Sequence, residues 1–137
     1  MAGLVIDASV ALAVMLPDEA DSRAEKAMKA AAREHALVPS HWLLEVVNGL
    51  LMAERRRRIP DRTRHALLES LTGFPTEFDR ETNNRARRES AGIAVAHKLT
   101  IYDAAYLELA MRTRLPLATL DEGLRKAALR EKVRLFV

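Results

Sequence analysis

The sequence has no cysteine. Disulfides and zinc–thiolate sites are therefore excluded, and the chain suits a reducing compartment such as the cytoplasm. No run is long and apolar enough to span a bilayer, so no membrane association is expected. The mostly apolar stretch Gly3–Leu16 is short enough to imitate a signal peptide. It lacks a basic leading region and carries Asp7 in its middle, so it reads as core. A glycine-rich loop before Lys-Ser or Lys-Thr is also missing, which excludes Walker-type nucleotide binding. The four histidines, His35, His41, His65 and His97, show no mutual ligand spacing, so no zinc site is expected. There are no repeats, no low-complexity tract and no linker. The 137 residues are expected to form one domain with an ordinary core.

Charge is present but modest. The net charge is +3, and Arg outnumbers Lys 17 to 5. The guanidinium fork suits phosphate recognition. A GC-rich coding sequence would give the same excess, and +3 is too little for a dedicated nucleic-acid coat protein.

Strand and helix signals alternate. Strands are expected at Leu4–Asp7, Ala36–Pro39 and Leu117–Thr119, with Pro75–Asp79 extended and Val133–Val137 as a closing strand. Helices are expected at Ala8–Leu16, Glu19–Glu34, Trp42 to about Arg57 with Ser40 as N-cap, Asp61 or Arg62 to Leu71, Thr82–Lys98, Asp103–Arg114 and Asp121–Arg130. Alternation of this kind predicts an α/β fold, a parallel sheet covered on both faces. Ligands of such sheets bind beyond the carboxyl ends of the strands.

Four acids stand in apolar settings. Asp7 closes the run Leu4-Val5-Ile6, and Asp121 follows Leu117-Ala118-Thr119-Leu120. Glu45 lies in Trp42-Leu43-Leu44-Glu45-Val46-Val47, and Asp103 in Thr100-Ile101-Tyr102-Asp103-Ala104-Ala105. A carboxylate beside apolar neighbours is disfavoured unless its charge is compensated. A bound cation could compensate all four. Asp7, Asp103 and Asp121 also read plainly as helix caps. Glu45 does not, because it lies inside a helix. With His41 and Asn48 it forms a polar stripe on an apolar helix, which an ordinary amphipathic helix would turn to water.

The pieces VIDASV at 5–10, HWLLEVVNGL at 41–50, LTIYDAAYLELA at 99–110 and LATLDEGLRKAA at 117–128 span the chain. Together they resemble the PIN-domain ribonucleases, and within them the VapC-type toxins of prokaryotic toxin–antitoxin pairs. The Tyr-Asp-Ala-Ala-Tyr and Thr-Leu-Asp pieces are the most specific. The resemblance implies a three-layer α/β/α fold and an endoribonuclease that uses Mg²⁺ or Mn²⁺ and leaves 5′-phosphate and 3′-hydroxyl ends. It implies that Asp7, Glu45, Asp103 and Asp121 are the metal-binding, catalytic acids, with Ser9 and Thr119 steadying carboxylates or waters. The polar stripe adds Asn48 as a further supporting residue. The resemblance also implies a homodimer and an antitoxin that blocks the crevice.

Mg²⁺ keeps several waters and needs only one or two direct carboxylates. Asp7 and Asp103 are the expected direct ligands, with Glu45 and Asp121 acting partly through water. The run Arg55-Arg56-Arg57-Arg58 reads either as a phosphate-binding rim for RNA or as a solvated helix end whose charges favour the dipole. Trp42 reads as core or dimer contact before it reads as a base-stacking platform. Other classes place an Asp after the first strand. Aspartyl-phosphate hydrolases usually need a second Asp two residues on, where this chain has Ser9. Receiver domains need an early acidic pair and a late Lys, and neither is evident. A non-catalytic module with capping acids, and a PIN nuclease of RNA maturation, remain as alternatives. Metal dependence and gene neighbourhood separate them.

Overall fold

The structure, a computed structural model, describes residues 2–137. Its centre is a sheet of four parallel strands, β1 (Leu4–Ile6), β2 (Ala36–Val38), β3 (Thr76–Phe78) and β4 (Leu117–Ala118), in the order β3-β2-β1-β4. Val5 lies opposite Leu37 on one side and Leu117 on the other. All three residues of β1 are fully buried, as a central parallel strand with both faces covered requires. The expected closing strand at Val133–Val137 reduces to a single parallel bridge between Leu117 and Leu135. β4 is only two residues long and offers too little template for more.

α1 (Ala8–Met15) follows β1 directly. α2 (Ser22–Glu34) begins three residues later than expected, because the Asp21 carboxylate takes the amides of Arg23 and Ala24 and fixes the start there. α3 (Trp42–Arg55) is not capped by Ser40. His41 is the residue that opens the helix, and the Ser40 N–H donates to the Thr82 hydroxyl. α3 stops at Arg55, and Arg57 takes a positive φ of 58°. α4 (Asp61–Ser70) starts after Pro60. The segment expected as one helix at Thr82–Lys98 is α5 (Thr82–Arg85), a π-turn (Ala86–Ser90) and α6 (Ala91–His97). α7 (Ile101–Thr113) is capped by Thr100, whose hydroxyl accepts the Asp103 N–H. Asp103 therefore sits within the first turn instead of starting the helix. α8 (Glu122–Arg130) is capped by Asp121.

The three layers follow from the apolar faces. α7 lies over β1 and β4 with α6 and α8 beside it, while α1 packs on α2 and α3. Gly49 lets α1 and α3 close, because a Cβ there would collide with the Leu12 side chain. Trp42 is 1% exposed and belongs to the core. α7 is tied to the C-terminal end of β3 by a buried ionic cluster. Arg112 donates to Asp79 at 2.8 and 3.2 Å and to Glu108 at 2.9 and 3.1 Å. Burial alone would raise the Asp79 carboxyl, but the Arg112 guanidinium and the Thr82 hydroxyl outweigh it and hold it below the usual range.

Candidate functional site

β1 and β4 are neighbours, and the chain leaves their carboxyl ends at the point where the strand order switches sides. Such a switch opens a crevice in parallel sheets. Asp7 leaves β1 into it. One carboxylate oxygen accepts from the Ser9 hydroxyl at 2.6 Å and from the Val10 N–H at 3.2 Å. The other accepts from the Thr119 hydroxyl. The Thr119 oxygen in turn accepts the Asp121 N–H at 3.1 Å, and the Ser9 oxygen accepts the Leu120 N–H at 3.0 Å. The residues just past β1 and just past β4 are thereby stitched together. Asp121 caps α8 through the Leu124 N–H at 2.8 Å.

Asp7 is 4% exposed. Burial pushes its carboxyl up to about 6, against the pull of Ser9, Thr119 and Val10, and the charge of Asp103 adds to the rise. The Asp103 carboxyl is also raised, first by desolvation and then by the charges of Asp121 and Glu45. The four acids therefore share one electrostatic neighbourhood. Among the described residues no Lys or Arg forms an ion pair with any of them.

Glu45 sits in the first turn of α3, 35% exposed at its side chain, and accepts a hydrogen bond from the Tyr106 hydroxyl. Burial, and then the Glu45 carboxylate, raise the Tyr106 phenol well above its ordinary value, so it stays a donor. His41 Nε2 lies 3.4 Å from Glu45 and 3.1 Å from the Tyr102 carbonyl. A carbonyl only accepts, so Nε2 carries the proton. His41 and Glu45 are thus turned into the crevice, while Asn48, the third residue of the stripe, is exposed.

Every one of the four acids stands at a helix N-terminus. Asp7 and Asp121 are N-caps of α1 and α8, and Glu45 and Asp103 occupy the first turns of α3 and α7. Positive dipole ends lower the cost of gathering negative charge. The donor set is all carboxylate oxygen, which suits a hard divalent cation. Among the described residues no three His, Asp or Glu side chains stand close enough to form an all-protein cage. Mg²⁺ does not require one, since waters complete its shell.

The remaining candidates lie further out. Asn48 is exposed and makes no hydrogen bond to the acids among the described residues. Arg55 ends α3, ten residues beyond Glu45 and so about 15 Å along the helix. Arg55, Arg56 and Arg57 are exposed. Arg58 is not free for a phosphate. It forks onto Asp18 at 2.6 and 2.8 Å and reaches Glu19 at 2.5 Å. Tyr106 is the site residue that sequence reasoning passes over. Its signal is its spacing: three residues after Asp103 on one helix, it must share that face.

Comparison with known proteins bears on this site. The PIN domain family matches residues 4–129. Ribonuclease VapC3 of Pyrobaculum aerophilum is 32% identical over 121 residues, covering 88% of this chain and 91% of that protein. The crystal structure of PAE2754 from Pyrobaculum aerophilum superimposes with a TM-score of 0.66 at 26% identity, covering 92% of this chain and 79% of that one.

Proposed function

From the premise that this chain belongs to the PIN-domain family, and within it to the VapC-type ribonucleases, we propose that it is a Mg²⁺-dependent endoribonuclease toxin restrained by a cognate antitoxin. The observation that supports the reading is that Asp7, Glu45, Asp103 and Asp121 stand at four helix N-termini, are linked through the charge of Asp103, and among the described residues make no Lys or Arg ion pair. Asp7 and Asp103 would hold the ion directly, and Glu45 and Asp121 partly through water. Mn²⁺ offers the same hard charge. Such an ion, when bound, polarises a phosphoryl oxygen and makes hydroxide available at neutral pH.

The chain's own residues orient this set. Ser9 and Thr119 fix both oxygens of Asp7, and Thr119 also holds the backbone of Asp121. Tyr106 fixes Glu45, and the protonated Nε2 of His41 faces the same carboxylate. Asn48 lies on the next turn of α3, within reach of substrate. Arg55, Arg56 and Arg57 form an exposed cationic rim for the RNA backbone. The protein acts in the cytoplasm as a homodimer of single PIN domains, with the antitoxin closing the crevice. Among the described residues no helix is long and apolar enough to cross a membrane.

The test is direct. Protein freed of antitoxin should cut RNA in Mg²⁺ or Mn²⁺ and stop in EDTA. Cleavage undiminished by EDTA would falsify the metal-dependent reading.

A further inference from the structure

A second cavity, of about 220 Å³, adjoins the crevice. It lies between the start of α3, the π-turn and the start of α7, and is lined by His41, Thr82, Asn83, Ala86, Ser90 and Tyr102 among others. His41 is common to both. Its ring meets Tyr106 edge-on with centroids 5.1 Å apart, and its Nε2 stands 3.4 Å from Glu45. Tyr102, 58% exposed, immediately precedes Asp103, and its ring lies 5.7 Å from that of His41.

Two unfavourable features coincide here. Ser90 is 1% exposed, and among the described residues its hydroxyl has no hydrogen-bond partner. Buried polar groups are normally paired, and an orphan needs a reason. The same residue ends the π-turn, a helical distortion that is rare and frequent at functional sites. Nothing holds the Ser90 hydroxyl in its rotamer, so it can turn toward a ligand without breaking a bond. The opposite wall is fixed. The Thr82 hydroxyl donates to Asp79 at 3.0 Å and accepts the Ser40 N–H at 3.1 Å, and Asp79 is gripped by Arg112.

We infer that this cavity is a subsite for an unpaired nucleobase of the RNA, adjoining the phosphate that is cut. The inference rests on the ribonuclease reading above. No Lys or Arg lines the cavity, which argues against a phosphate as its occupant. The rings of Tyr102 and His41 offer faces for stacking, the usual way an unstacked base is held. The Ser90 hydroxyl and the Asn83 amide can each donate and accept, so they can read a base edge. A mostly apolar cleft with a few converging polar groups is the general form of a small-ligand site.

The test uses the full chain in Mg²⁺ with RNA hairpins cut at one mapped bond. The hairpins differ only in the loop residue beside that bond, which is A, G, C, U or abasic. Wild type should cut the preferred base at least about tenfold faster than the abasic substrate, a discrimination within reach of one well-made pocket. In Ser90→Ala and in Asn83→Ala that ratio should fall to within about threefold. Ser90→Ala should melt no lower than wild type, since it deletes an orphan hydroxyl. Equal rates on all substrates by wild type, or an unchanged ratio in both variants, overturns the subsite and leaves the ribonuclease reading intact. If no RNA is cut in Mg²⁺ or Mn²⁺, the ribonuclease reading fails instead. The cavity is then judged by amide NMR shifts at Ala86, Ser90 and Ala105. Shifts with adenosine or uridine 5′-monophosphate but not with ribose 5-phosphate support a base site, and their absence overturns it.

Discussion

Replacing Asp7 with Asn should stabilise the metal-free protein at neutral pH while abolishing its activity. The folded-state carboxyl titrates at about 6, against 3.8 as the ordinary value. The native state therefore keeps a proton that the unfolded chain has released. Below pH 3.8 both states are protonated and no penalty exists. Stability falls as pH rises from about 3.8 to 6, and above 6 the full cost of an ionised, buried Asp7 is present. That cost is roughly 3 kcal/mol. Asparagine is never charged and keeps an oxygen to accept from Ser9 and Val10. Its amide would face the Thr119 hydroxyl, whose proton must turn away, at a cost of about 1 kcal/mol. The net gain at pH 7.5 is then about 2 kcal/mol, some 8 °C in melting temperature for a chain of this size. At pH 4 only about 0.5 kcal/mol of that cost has developed, so the mismatch outweighs it and the variant should be less stable by about half a kcal/mol.

Urea denaturation in EDTA, from pH 4 to 8, measures this directly, and the two stability curves should cross between pH 4 and 7. In excess Mg²⁺ the wild type should recover, because an ion that binds only the native state stabilises by mass action, while the variant should not. The reasoning fails if Asp7→Asn is less stable than wild type at pH 7.5 in EDTA. It fails equally if both proteins show the same pH dependence.

Three further changes probe the rest of the site. Asp103→Asn should lower cleavage by at least about a hundredfold, keep or raise metal-free stability by up to about 1 kcal/mol through relief of like-charge repulsion, and blunt stabilisation by Mg²⁺; a markedly lower melt without metal together with retained cleavage would make Asp103 purely structural. Tyr106→Phe deletes the donor to Glu45 and should cost about 1 kcal/mol in urea denaturation, with a drop in kcat larger than any change in KM; unchanged kcat would remove Tyr106 from the positioning set. Arg55→Ala with Arg56→Ala should lower the slope of log affinity against log salt by about one unit per lost phosphate contact, measured with RNA in Ca²⁺ to suppress cutting, whereas an unchanged slope returns both residues to a solvated helix end.

The parallel sheet is legible because its central strand needs a short, unbroken apolar run, and Leu4-Val5-Ile6 is one. Asp7 and Asp121 are legible because each stands between a strand and the helix it caps, a junction with strong residue preferences. What the sequence hides depends on contacts between distant residues. The partners of Arg58 are 39 and 40 residues away, so the four arginines look alike until α3 meets the α1–α2 turn. Ser40 has the composition of an N-cap, but α3 opens one residue later, at His41. The π-turn carries no glycine or proline to announce it. The Glu45 stripe could face water or a crevice, and only the arrival of Tyr106 on another helix decides it. Asp103 is misplaced by two residues because Thr100 is an equally good cap.

The capping and metal readings of the acids, opposed in the sequence, are compatible in the fold, because all four stand at helix N-termini. A helix N-terminus carries roughly half a positive charge, so four of them supply about +2. Against four carboxylates this leaves a deficit of about −2, although no Lys or Arg is spent on it. Burial is the first cause of the raised carboxyls of Asp7 and Asp103, and the neighbouring carboxylates add to it. One divalent cation would close the deficit, and a second would leave the crevice positive before any RNA arrived. A cap and a metal ligand are therefore not competing roles for these carboxylates. The caps are what lets four carboxylates be gathered in one crevice when no ion is bound, with the remaining cost carried by Asp7, the most buried of the four.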